Sequence, residues 1–198
     1  PYDLLAAALA VQPARLRAIV ARWRAAGYAE TGPLGTGPAW CWLTPAGMTA
    51  TGLGYPATRP ALARLAHIRA VLAARPWLQA GPAWTGGQAW WHSERRLRAA
   101  LRPGVGLGHL PDAEIHWPSL PHSPYAGQVW AVEIELTPKP LARTSRIMGG
   151  LLSPPRYAQV IYLTPSGGGT ATILRAARLS ARGRSRGASR DRPPARSR

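Results

Sequence analysis

Apolar residues at helical spacing dominate the first part of the chain. Leu4, Leu5, Ala8 and Leu9 share one face of a short helix, Gln12-Pro13 interrupts it, and Pro13 suits the first turn of a second helix. Leu16, Ile19, Val20 and Trp23 then recur at i, i+3, i+4 and i+7, a stripe made for a core, and Gly27 ends the run. Arg15, Arg17, Arg22 and Arg24 take up much of the remaining surface. Two short extended segments follow at 28–31 and 39–44, joined by a loop rich in Gly and Pro. Pro45-Ala46-Gly47 closes the second and opens another short helix.

Residues 60–74 read as an amphipathic helix, with Leu62, Leu65, Ile68 and Leu72 inside and Arg59, Arg64 and Arg69 outside. His67, beside the apolar row, reads as a structural residue. The stretch 76–91 looks irregular and holds four of the nine tryptophans, Trp77, Trp84, Trp90 and Trp91. Such residues either stack on bases or cover a neighbouring core, and the second use is preferred here. Residues 93–102 predict a helix with Ser93 as its N-cap. A broken alternation over 105–117 precedes the strongest strand pattern in the chain, at 128–137. A helix over 138–152, a buried-type strand over 157–164 and a turn at Gly167-Gly168-Gly169 come next, and 170–179 stays open between strand and helix. From Ser180 the Arg/Gly/Ser/Pro composition predicts a disordered tail. The expected units are therefore 1–55, a connecting region 56–92, a domain at 93–180 and a tail at 181–198.

Charge changes this picture. Among 198 residues there are 25 basic and 8 acidic ones, a net charge of +17, and Lys139 is the single lysine. The sequence pI near 11.7 points to a polyanionic partner, although a GC-rich genome also enriches Arg, Ala, Gly and Pro. The tail alone carries a local charge of +6, counting seven arginines and Asp191 over 182–198, and Arg182, Arg184 and Arg186 are candidates for sequence-independent phosphate contacts. A hydrophobic fraction of 46% excludes a wholly disordered chain. One cysteine, Cys41, excludes a disulfide framework and a cysteine-based zinc finger; it reads as core and fits a reducing, cytoplasmic compartment. The first apolar run, 4–11, falls far short of the ~20 residues of a membrane span, so no membrane association and no signal peptide are expected. The start at Pro1 rather than Met predicts an incomplete or processed N-terminus.

The acids are clustered. Five of eight, Glu94, Asp112, Glu114, Glu133 and Glu135, fall within 94–135. In Val132-Glu133-Ile134-Glu135-Leu136 the two glutamates point to one face of a strand and the apolar residues to the other. Two like charges so placed repel unless a cation or arginines lie between them. A hard cation such as Mg²⁺ or Mn²⁺ held by Asp112 and Glu133 would activate water and neutralise a phosphate, with Glu94 within reach through water. The plainer alternatives are a Pro-Asp turn, glutamates facing water, or pairing with Arg143 or Arg146. His109 and His116 flank Asp112, and His122 lies further on without ligand spacing. Gly104–Gly108 (GVGLG) lacks the helix that a dinucleotide fingerprint needs.

Two resemblances follow from these motifs. "LLAAALAV-QPARLRAIVARWRAAGYAE" with "GPAWCWLTPAGM" resembles a winged helix-turn-helix whose first helix is missing. In such modules the second helix enters the major groove of double-stranded DNA, here with Arg15, Arg17, Arg22 and Arg24 on its exposed face. "PDAEIHWP…WAVEIELTPK" is similar to the PD-(D/E)XK nuclease-like signature, with its α-β-β-β-α-β order. Taken with "LARLAHIRAVL", "WWHSERRLRAAL" and "RYAQVIYLT", nearly the whole chain except the tail looks like the actinobacterial replication-relaxation family, whose members are associated with plasmid replication and mobile elements. The resemblance implies Asp112 and Glu133 as metal ligands and Glu94, Asp112, Glu133, Glu135 and Lys139 as the catalytic constellation. Glu135 stands where the signature has lysine, a departure that weakens the case for cleavage.

The expected architecture is thus mixed α/β: a winged helix, a restriction-endonuclease-like domain and a basic tail. The expected function is DNA binding in plasmid or mobile-element replication, with divalent-metal cleavage or nicking as the implied chemistry. The alternatives are a non-catalytic replication or transcription regulator with a degenerate nuclease-like domain, and a protein-interaction module whose charge is genomic bias. Oligomeric state and the DNA sequence recognised stay open.

Overall fold

The computed structural model describes residues 1–80, 89–101, 108–153, 157–165 and 167–190. Within them the chain is mixed α and β, with a two-stranded and a four-stranded sheet. Helices α1 (Tyr2–Ala8) and α2 (Pro13–Ala25) meet at a bend of 100°. The bend is made at Ala10, which takes φ 51°, and at Gln12, whose extended backbone precedes Pro13 at the head of α2. Leu16 and Val20 of the apolar stripe are each 1% exposed. Gly27, at φ +73°, then reverses the chain into strand β1 (Ala29–Gly32), which pairs antiparallel with β2 (Trp40–Leu43).

Thr44 fastens this unit. Its hydroxyl donates to the Gly27 carbonyl at 2.6 Å and accepts from the Gly47 amide at 3.1 Å, capping α3 (Pro45–Ala50). Gly47 lies so close beneath Tyr28 that a Cβ there would sit 2.0 Å from the Tyr28 carbonyl oxygen. The Tyr2 amide donates to the Ala39 carbonyl, tying α1 to the hairpin.

The second unit differs from expectation at its start. A 3₁₀ turn (Leu62–Arg64) leads into α4 (Leu65–Ala80), which runs straight through Pro76 where an irregular segment is predicted. Tertiary anchoring outweighs the proline. Leu78 is 6% exposed, and Gln79 exchanges two hydrogen bonds with Ala89: its amide side chain donates to the Ala89 carbonyl and its own carbonyl accepts from the Ala89 amide. The face of α4 packed on the sheet core is Ala70, Val71, Ala74 and Leu78; of the predicted row Leu65 and Ile68 are half-buried, and Leu62 and Leu72 are exposed. Trp84 and the rest of 81–88 lie outside the described residues.

Trp90–Ser93 is strand β3, not loop, and Ser93 caps α5 (Glu94–Ala99) by accepting from the Arg96 amide. Strands β4 (Ala113–His116) and β5 (Val129–Ile134) follow, then α6 (Leu141–Leu152) and β6 (Gln159–Leu163). The sheet order is β3-β4-β5-β6, antiparallel except for the parallel β5–β6 pair that α6 connects. Helix α4 covers one face of this sheet and β3 forms its edge.

Alternation in the strands sorts the side chains. Ala113, Ile115, Trp130, Val132 and Ile134 pack with Leu78 on the α4 side, while Ala131, Ile147, Leu151 and Tyr157 pack together on the α6 side. Helix α7 (Gly167–Arg190) closes the described chain against α6. It begins at the glycines predicted to turn, resolves 170–179 as helix, and continues ten residues past Ser180, where disorder is predicted. Ala and Arg are strong helix formers, and Ala176 is fully buried, which anchors the helix before its arginine-rich end. The remaining tail, 191–198, lies outside the described residues.

Candidate functional site

Two neighbouring strands bring the acids together at one end of the sheet. Asp112 stands just before β4, Glu133 near the end of β5 and Glu135 one residue past it. All three are held by protein groups. His67, on α4, donates through Nε2 to Asp112 Oδ1 at 2.8 Å, and the Ile134 amide donates to Oδ2 at 2.8 Å. His109 Nε2 donates to Glu133 Oε1 at 2.8 Å. Lys139 Nζ donates to Glu135 from the turn before α6. Glu133 and Glu135 are 4% and 8% exposed, so they do not face water, and their cationic partners are His109 and Lys139. Arg143 and Arg146 lie exposed on α6.

The electrostatics follow from burial and these partners. Burial raises the Glu133 carboxyl above its ordinary range, against the pull of His109. The hydrogen bond to Glu133 raises His109 in turn. His67 is raised by its hydrogen bond to Asp112, with Glu94 reinforcing and Arg64 opposing. Tyr162, opposite Glu133 on β6, has a buried hydroxyl without a hydrogen-bond partner among the described residues. Burial raises its pKa, and the negative charges of Glu133, Glu135 and Asp112 raise it further.

Glu94 stands apart from this group. Its carboxylate accepts from Arg64 at 2.9 Å and Arg98 at 2.6 Å, and these hydrogen bonds lower its pKa in spite of burial. Only its amide touches the site, donating to the Asp112 carbonyl. A cavity of about 510 Å³ beside α4 is lined by Cys41, His67, Glu94 and Asp112 among others. Cys41 is thus a half-buried cavity residue rather than core.

The pair Asp112 and Glu133 does not fit Mg²⁺ or Mn²⁺ as arranged. Hard cations need carboxylate oxygens with room for several waters, but both Asp112 oxygens are engaged and Glu133 is enclosed against His109. Among the described residues, neither belongs to a trio of His, Cys, Asp or Glu whose ligand atoms approach within 4.8 Å of one another.

A different trio does. His92 on β3 lies opposite Glu114 on β4, and His116 is two residues further along the same face; the three offer ligand atoms within 4.8 Å of one another. Glu114 is 5% exposed and accepts from His116 Nε2 at 2.8 Å and from the Tyr157 hydroxyl at 2.6 Å. Burial lowers the His92 pKa, with help from the neighbouring charges of His116 and Arg96. The sequence places Glu114 among the clustered acids without a role and gives no signal for Tyr157, and His92 falls in a segment without strand pattern. His109 and His116 carried a signal only as histidines flanking Asp112.

On the N-terminal unit, Arg15, Arg17, Arg22 and Arg24 are all exposed on α2. Among the described residues none of them is in an ion pair. Arg182, Arg184 and Arg186 belong to α7, and their side chains lie outside the description. No helix among the described residues is long and apolar enough to cross a membrane. No protein-family model, curated protein or solved structure matches the chain.

Proposed function

We propose that this chain is a DNA-binding protein of plasmid or mobile-element replication that grips double-stranded DNA through α2. The observation that carries the reading is that Arg15, Arg17, Arg22 and Arg24 are all exposed on that helix, in two rows flanking its buried Leu16 and Val20, and in no ion pair among the described residues. The order helix, sharp turn, helix and two-stranded hairpin supports a winged helix-turn-helix, in which such arginines meet phosphates and guanine edges. Arg24 and Arg59 also line an open groove between α2 and the hairpin. The four-stranded sheet of the second unit, with β3, β4 and β5 antiparallel, α5 between β3 and β4, and α6 leading to the parallel β6, supports a nuclease-like scaffold. The replication setting rests on the motif resemblance alone.

Within this reading the scaffold is non-catalytic. Asp112, Glu133 and Glu135 each carry an internal partner, and among the described residues none of them belongs to a trio of ligand atoms close enough to share an ion. The gathering of Asp112, Glu133, Glu135 and Lys139 at one end of the sheet favours a second reading, divalent-metal nicking, which requires His67 and His109 to yield their carboxylates.

Two experiments test these readings. Fluorescence anisotropy on duplex DNA over a salt series should show log K falling with log salt by about 0.9 per phosphate neutralised, and the fourfold Arg→Ala variant of α2 should flatten the slope by about 2–4 units. An unchanged slope refutes the α2 interface. Incubation with supercoiled plasmid and Mg²⁺ or Mn²⁺ against EDTA, alongside Asp112→Ala and Glu133→Gln, separates the two readings. Retarded but intact plasmid for all proteins supports the scaffold; metal-dependent nicking lost in both variants establishes an enzyme.

A further inference from the structure

We infer that His92, Glu114 and His116 form a binding site for a single divalent transition-metal ion of the Zn²⁺ class. The site shares no side chain with the Asp112–Glu133 group and does not rest on the DNA-binding reading. Its first support is placement. β3 and β4 pair so that His92 stands directly across from Glu114, and His116 follows on the same sheet face. The register alone therefore converges two imidazoles and a carboxylate, all with ligand atoms within 4.8 Å.

The donor set selects the ion. Two imidazoles and one carboxylate, with a position left over, are ligands for Zn²⁺ and its first-row neighbours, whereas Mg²⁺ and Ca²⁺ prefer oxygen alone. The rings of His92 and His116 lie 4.0 Å apart between centroids, tilted by 40°.

The surroundings also fit. The Tyr157 hydroxyl donates to Glu114 Oε1 at 2.6 Å and fixes the carboxylate, the part that outer hydrogen-bond partners play around ligating residues. Glu114 lies buried at the base, but the His116 side chain is 29% exposed and leaves the site open to solvent. Metal bonds of about 2.0–2.2 Å place tetrahedral ligands ~3.3 Å apart, so the 2.8 Å contact of His116 and Glu114 opens by only a fraction of an ångström on loading. An ion there would also pin the edge strand β3 to β4.

The test uses the untagged full chain stripped with EDTA, titrated with Zn²⁺ by calorimetry and with Co²⁺ by visible absorption. One ion per chain is expected, with excess Mg²⁺ failing to compete. His92→Ala and His116→Ala should each weaken Zn²⁺ binding at least ~10-fold, and Tyr157→Phe about 10-fold, while His122→Asn leaves it unchanged. In the wild-type chain, saturating Zn²⁺ should shield His92 and His116, and not His122, from acylation by diethyl pyrocarbonate, a readout independent of whether any variant folds. Absence of saturable Zn²⁺ binding, equal shielding of all three histidines, or His92→Ala and His116→Ala affinities within about twofold of wild type would overturn the inference.

Discussion

Asp112→Ala offers the sharpest check on how the acidic group is built. Asp112 Oδ2 is the acceptor for the Ile134 amide at 2.8 Å, and Ile134 is 6% exposed at the end of the inner strand β5. Removing the carboxylate leaves that donor buried and unpaired, which costs about 1–3 kcal/mol. The His67 contact adds a charge-assisted bond, of about 1–2 kcal/mol once the partial exposure of both side chains is allowed for. The sum, about 2–5 kcal/mol, lowers the Tm of a chain this size by about 4–20 °C. Asp112→Asn keeps an acceptor for the Ile134 amide and loses only the charge, so it should cost ~1 kcal/mol near pH 6. The pH dependence has a definite sign. His67 is held above its ordinary 6.5 by Asp112, with Glu94 and Arg64 the other charged groups acting on it. Its stabilisation is complete below the unfolded pKa and lost as pH rises through the raised folded value. The difference between wild type and Asp112→Asn should therefore shrink from about pH 6 to about pH 9. Urea unfolding followed by tryptophan fluorescence measures it. A cost for Asp112→Ala below about 0.5 kcal/mol, or a constant Asp112→Asn deficit across that range, would refute the reasoning.

Other outcomes follow from single contacts. Gly47→Ala drives a Cβ to 2.0 Å from the Tyr28 carbonyl, and should destabilise the N-terminal unit by at least about 2 kcal/mol, seen as earlier proteolysis of the hairpin relative to the second unit. His109→Ala strips the buried Glu133 of its cation. Burial already raises Glu133, so the ionised form becomes costlier, and the variant should lose about 1–3 kcal/mol against wild type as pH climbs from about 4.5 to 6.5, the deficit no longer growing as wild type loses the His109 proton at higher pH. A deficit that stays flat over this range in chemical unfolding would show that His109 does not compensate Glu133.

The amino-acid sequence by itself determines the elements whose pattern is local. The Leu16–Val20 stripe, flanked by exposed arginines, makes α2, Gly27 needs its left-handed backbone, Ser93 caps α5, and the alternation around Glu133 makes β5. Tertiary structure decides what no local pattern encodes. Strand β3 is four residues without alternation and exists through its pairing with β4. Helix α4 survives Pro76 because Gln79 and Leu78 are anchored from outside the helix, and the face it packs on the sheet core is Val71, Ala74 and Leu78 because the sheet sets which side is covered. The partners of the acids come from 24 and 45 residues away in the His109–Glu133 and His67–Asp112 pairs. Glu114 shows the division most plainly: its sequence marks only a polar position in a strand, while the register that sets it against His92 and the approach of Tyr157 over its carboxylate are products of the assembled sheet. Periodicity fixes which way a side chain points, but which atoms it meets depends on chain segments far away in sequence, and only packing brings those into range.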